Sequence, residues 1–174
     1  MKYAILVFCL FAAACSQPLA PSAPSIVGTG VAGTGVAQTQ ANGGAPVEVT
    51  FTKWGTGIPA PTHTGVAGGD VPGTFAGTVL SRDAFENGTI VQLEAEYEVT
   101  GAHWFVAHIE GTLNNQTQRA VLNGTVIRGW LVGAQVQVTF DVIVPATGTS
   151  CVPQAPVNRT CFQGTIRILP GSAN

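Results

Sequence analysis

Charge is what this chain of 174 residues has least of: Asp, Glu, Lys and Arg make up 9% of it, against roughly 25% in ordinary globular domains. The formal net charge of -2 leaves no basic footprint, which argues against nucleic acid as a partner. Helical periodicity of any length is also missing, so all-α and α/β folds are set aside. The apolar run near the N-terminus is too short to cross a bilayer as a helix. Ser81 and Ser150 have no His or Asp in a recognisable elbow, so nucleophilic catalysis has little support. The Gly-Thr-Gly repeats of residues 27–36 follow no strand and precede no helix pattern, which speaks against a phosphate-binding loop. No cofactor is expected.

Turn formers and β-branched residues fill the space. Gly at 22 and Pro at 11 favour turns and irregular segments, and Val, Thr and Ile dominate the rest. The clearest element lies in residues 89–111. Val91, Leu93, Ala95, Tyr97 and Val99 alternate with Gln92, Glu94, Glu96 and Glu98, a period of two that predicts a strand with one buried face. A second strand follows, with Phe105, Ala107 and Ile109 on one side and Trp104, Val106, His108 and Glu110 on the other. A three-residue turn at Thr100, Gly101 and Ala102 would set Tyr97 opposite Phe105, Ala95 opposite Ala107 and Leu93 opposite Ile109. Glu94 would then face His108, and Glu98 would face Trp104.

Further strands are read at residues 47–54, 74–82, 119–128, 134–144 and 162–169, with Asn87-Gly88 and Asn114-Asn115 as turns. Residues 55–73, rich in Gly and Pro, read as a long loop holding His63 and Asp70. A pattern of apolar residue, any residue, Gly, Thr, aliphatic recurs at Phe75, Ile109, Leu122 and Phe162. Glycine inside a strand marks a sharp bend or a close backbone approach, as where a sheet curls to close on itself. The fold class expected is all-β, a single antiparallel β-barrel of seven to eight strands, with a β-sandwich as the alternative. In strand count and glycine-bearing strands, residues 74–169 resemble the small barrels of the allene oxide cyclase and dirigent type. That resemblance implies architecture alone, since no catalytic residue of those families can be matched here.

The N-terminus has Lys2, an apolar run and then Ala12, Ala13, Ala14 and Cys15, a secretory signal over residues 1–14. The small residues before Cys15 resemble the lipobox of bacterial lipoproteins, which implies lipid on Cys15, a membrane anchor, and an exported protein of the cell envelope on its periplasmic or surface side. Plain cleavage at the same site is the alternative. Residues 16–46 carry no charge and are rich in Pro, Gly, Ala, Ser and Thr, so residues 15–46 are read as a disordered tether and residues 47–174 as the barrel domain. With Cys9 in the signal and Cys15 lipidated, Cys151 and Cys161 remain. In an oxidising compartment they are expected to form a disulfide worth roughly 2–3 kcal/mol. Without a nearby His they fall short of a metal site.

Two groups of side chains are candidates for chemistry. Glu94 and His108 would make an acid–base pair if the polar face of their hairpin lined the barrel interior, and an ordinary solvated surface if it faced outward. Trp54, Trp104 and Trp130, with His108, would line a pocket for a small apolar ligand. Core packing is the simpler account of the tryptophans. The role expected is non-enzymatic, a lipid-anchored barrel that binds an apolar small molecule or an envelope component. A cyclase- or isomerase-type enzyme and a structural or adhesive module are the alternatives. Radiolabelled palmitate should enter the wild-type chain and be absent from Cys15→Ala; equal labelling of the two would refute lipidation.

Overall fold

The computed structural model describes residues 44–56 and 62–171; the signal segment, Cys15 and most of the tether lie outside the described residues. Eight strands follow one another around a closed barrel: β1 (Val47–Gly55), β2 (Thr62–Gly69), β3 (Gly73–Phe85), β4 (Ile90–Gly101), β5 (Phe105–Asn114), β6 (Arg119–Gly129), β7 (Gln135–Ile143) and β8 (Cys161–Leu169). Each strand pairs antiparallel with its sequence neighbours. The seam is closed by β1 against β8, from Val47 opposite Ile168 to Trp54 opposite Cys161. That pairing excludes the sandwich, because a closed sheet has no edge.

Alternation decides what fills the barrel. The odd-numbered residues of β4 point inward and Val91, Ala95, Tyr97 and Val99 are buried, which settles the face that the period of two left open. Phe105, Ala107, Ile109 and Leu113 of β5 join them, with Val136, Val138 and Phe140 of β7 and Ile166 and Ile168 of β8. The β4–β5 register differs from expectation by two residues: Val99 pairs with Phe105, Tyr97 with Ala107 and Ala95 with Ile109. A shift of two keeps each side chain on its face, so the apolar faces still coincide. The turn is longer than a tight hairpin because its backbone serves other strands: Gly101 pairs with Gly73 of β3, and the Trp104 carbonyl accepts a bond of 2.8 Å from the Trp130 N–H.

The segment read as a long loop contains a strand. β2 has the sequence Thr-His-Thr-Gly-Val-Ala-Gly-Gly, poor in strand formers, and closure imposes its conformation: with β1 on one side and β3 on the other, its backbone groups have ready partners. Small residues suit its inner face, where Gly65 lies between Lys53 of β1 and Phe75 of β3.

Three of the four recurring glycines are required by close backbone approach, while Gly77 faces the rings of Phe75 and Tyr97. Gly111, Gly124 and Gly164 sit against neighbouring strands so closely that an added Cβ would lie 2.1, 1.9 and 2.0 Å from the carbonyl oxygens of Val121, His108 and Thr139. Gly164 is also flanked by Phe51 and Phe140, whose rings meet edge to face across it with centroids 6.5 Å apart. Large rings and bare backbone thus alternate around the wall.

Outside the wall, residues 144–160 fold back over the seam. Cys151 and Cys161 form a disulfide, and Trp54, Ala155 and Cys161 make a small second core with Ile143 and Val152. Gly164→Ala should lower stability by about 2–3 kcal/mol, since backbone has to move to admit the methyl. At Gly55 a Cβ meets nothing within 4 Å, so Gly55→Ala should change stability by no more than about 0.5 kcal/mol. Urea denaturation of the two variants checks the contrast, and equal midpoints would contradict the steric account.

Candidate functional site

The barrel is packed solid at one end and hollow at the other. Val71, Val99, Phe105, Val126 and Ala134, with Trp130 and Leu131 against them, fill the closed end. At the opposite end lies a cavity of about 400 Å³. Leu93, Ala95, Leu113, Leu122, Val142 and Phe162 give it apolar walls, and Arg82, Asn115 and Gln118 bring polar groups to it. Part of the rim is tied together: the Asn115 amide donates to the Gly88 carbonyl at 2.6 Å, and its N–H donates to the Thr89 carbonyl at 2.8 Å.

Lys53 forms the floor. In β1 the inward positions are Val49, Phe51 and Lys53, so the alternation that buries two apolar side chains carries a lysine in after them. It is 2% exposed. Its Nζ donates to the Tyr97 hydroxyl. Five rings surround the nitrogen, with centroids at 4.1 Å for Tyr97, 4.7 Å for Phe140, 5.5 Å for Phe162, 5.8 Å for Phe75 and 5.9 Å for Phe51. Their negative faces attract an ammonium and offset part of its lost hydration. Among the described residues no carboxylate pairs with it.

Burial pushes the Lys53 amine down to about 7 from its ordinary 10.5, because an apolar surrounding disfavours the charged form. Burial raises the Tyr97 phenol, which therefore stays protonated at neutral pH. His63, in β2, lies at the same end, its ring edge-on to Phe162 at 5.4 Å. Burial first, and the nearby Lys53 charge second, lower His63 to about 4. Its Nδ1 is buried with no hydrogen-bond partner. An amine, a phenol and a neutral imidazole thus meet in one apolar cup.

The residues singled out from sequence lie elsewhere. Glu94 Oε1 and His108 Nε2 are 3.3 Å apart on the outer face, with side chains 41% and 33% exposed. Glu96 meets Arg128 there at 3.2 Å, and Trp104 Nε1 donates to Glu98 at 2.7 Å. Both partnerships expected for Glu94 and Glu98 thus occur, though diagonally rather than directly across the sheet. Trp54 is buried under the disulfide loop, Trp104 is 40% exposed, and Trp130 stacks on His103 near the closed end. None of the three lines the cavity. Asp70 ties the β2–β3 turn to β1 by accepting from the Glu48 N–H at 2.8 Å. Among the described residues no three of His, Cys, Asp and Glu come together as a metal site would need. Chemistry in the interior would therefore run on Lys53, Tyr97 and His63.

Lys53 lies inside the strand expected at residues 47–54, where Val47, Val49 and Phe51 alternate with polar residues. Carrying the same phase one step further puts a lysine on the buried face, and that was the available signal. No protein-family model, curated protein or solved structure matches the chain.

The buried amine makes stability depend on pH. Its folded value near 7 lies below the unfolded 10.5, so between those values the unfolded chain holds a proton that the folded chain has released. Stability should therefore rise with pH across that window, by up to about 1.4 kcal/mol per pH unit from this group, with the full penalty present below pH 7. Lys53→Met should remove that slope and gain most stability at pH 6. Urea midpoints of wild type and variant at pH 6, 7.5 and 9 check this, and parallel curves would contradict it.

Proposed function

We propose that this protein is a non-enzymatic binding protein whose barrel mouth holds a small molecule with a largely apolar body, presented at a membrane surface by lipid on Cys15. The observation that carries the reading is the uneven filling of the barrel: one end is packed with side chains, and the other encloses about 400 Å³ behind a tied rim. A cavity of that size falls within the range that buries small ligands, and its mixture of aliphatic walls with few polar groups is typical of such sites. Eight-stranded barrels are just wide enough for one small ligand when side chains leave the space. Twin lipid and ligand sites on one chain suit capture at the cell envelope, with residues 15–46 as the tether between them.

The test uses the full chain carrying Cys15→Ala, so that no lipid of its own competes, and N-phenyl-1-naphthylamine, a neutral apolar dye that brightens out of water. Binding should be saturable. Leu93→Trp, which fills the cavity from β4, should weaken it at least tenfold while leaving the thermal midpoint within a few degrees; Val142→Trp repeats the experiment from β7. Unchanged dye binding in a folded blocked variant would overturn the reading.

A further inference from the structure

The charges around the cavity are of one sign. Among the described residues Lys53 and Arg82 line it, and none of the nine Asp and Glu does. The acids of β4 and β5, Glu94, Glu96, Glu98 and Glu110, are on the outer face of the same wall. An ammonium held inside a protein without a counter-charge destabilises the fold, and a methionine of similar volume would fill the same space without that penalty. Rings surround the Lys53 nitrogen, the Tyr97 hydroxyl accepts one of its protons, and the lysine borders the open cavity. A cation so placed lacks only the anion.

We propose that the cavity is a site for an amphipathic carboxylate, its oxyanion held by the Lys53 ammonium and its apolar body lying along Leu93, Leu113 and Val142. This rests on the reading of the barrel mouth as a ligand site and names the class of ligand. The hydroxyl of Tyr97 stands beside the amine, where it can donate to a second carboxylate oxygen. Arg82, at the cavity's edge, adds a positive field that draws anions in. Aliphatic walls exclude small hydrated anions, which would lose their water without gaining apolar contact.

Proton linkage sharpens the inference. The titratable and charged groups that line the cavity with Lys53 are His63 from β2, Arg82 from β3 and Tyr97 from β4. The inward side chains that β5, β6, β7 and β8 contribute to the cavity, Leu113, Leu122, Phe140, Val142 and Phe162, do not titrate. Between pH 6 and 9 His63 is neutral and Tyr97 protonated, so of these three groups Lys53 is the one that changes charge. A carboxylate favours the ammonium and raises its pKa. Binding above pH 7 therefore takes up a proton, and affinity falls by up to tenfold per pH unit as the free amine loses its charge.

The experiment compares 1-naphthylacetate with 1-naphthylacetamide, two molecules of nearly the same shape that differ in charge, by isothermal titration calorimetry on the full chain carrying Cys15→Ala. At pH 6.5 the carboxylate should bind at least tenfold tighter than the amide. At pH 8, titrations in phosphate and in Tris, whose ionisation heats differ, should report close to one proton taken up per carboxylate bound. Lys53→Met should abolish both the preference and the uptake while retaining the amide. Equal affinities, a preference that survives Lys53→Met, or carboxylate binding without proton uptake would each overturn the proposal. If neither naphthyl compound binds while the neutral dye does, the anion reading falls and the cavity reading stands; if nothing binds, both fall. Should Lys53→Met fail to fold, the wild-type proton count decides alone.

Discussion

Closure of the sheet is the constraint from which the rest follows. Pairing β1 with β8 leaves no exposed ladder edge, but a wall of eight strands can curve that tightly only where backbones approach each other without intervening side chains. Gly111, Gly124 and Gly164 provide such places, each with a neighbouring carbonyl where its Cβ would be. Bare positions in the wall leave space inside, and the rings beside them take it. Phe51 and Phe140 flank Gly164, and Tyr97 lies beside Gly77. The aromatic cluster in mid-barrel is thus the counterpart of the glycine pattern.

That cluster is also what makes the position of Lys53 tolerable. Placed among aliphatic side chains alone, an ammonium would have neither hydration nor partner. Placed among five rings, one of them the phenol of Tyr97, it has weak attraction from several sides, which moderates the loss without removing it. The amine is left near its balance point at neutral pH, where a change in its surroundings has most effect on its charge. The same features that close the barrel therefore set the electrical state of its floor.

How far this was legible in the sequence depended on whether a local pattern carried the information. The period of two in Val91, Leu93, Ala95, Tyr97 and Val99 is local, and it identified the strand; which of its faces turns inward is decided by closure of the sheet. The glycine pattern is local too, and it pointed to a barrel. The β4–β5 register was not, because Trp104 and Gly101 are held by the β6–β7 turn and by β3, contacts that no hairpin rule contains. β2 was hidden for a related reason: its glycines read as loop until strands on either side require them. The site was hidden by a choice of face. The acid–base candidates visible in the sequence, the glutamates and His108, lie on the polar side of the alternation, whereas the buried titratable groups, Lys53 and Tyr97, interrupt the apolar side. In a barrel, the informative residue is the polar one in phase with the core.

The disulfide loop belongs to the same design. Trp54 follows Lys53 in β1, and Cys161 precedes Phe162 in β8, so one rung of the seam points its neighbours in opposite directions: Lys53 and Phe162 inward, Trp54 and Cys161 outward. The outer pair is covered by residues 144–160 and fixed by the Cys151–Cys161 bond. A strand buried on both faces cannot slide or fray without losing two sets of contacts. The open end of a barrel, which lacks core packing to hold its strands, gains that restraint from outside, leaving the inner volume free. Hollowness at the mouth and the small second core behind it are in this sense one arrangement: the packing given up inside the wall is supplied on its far side.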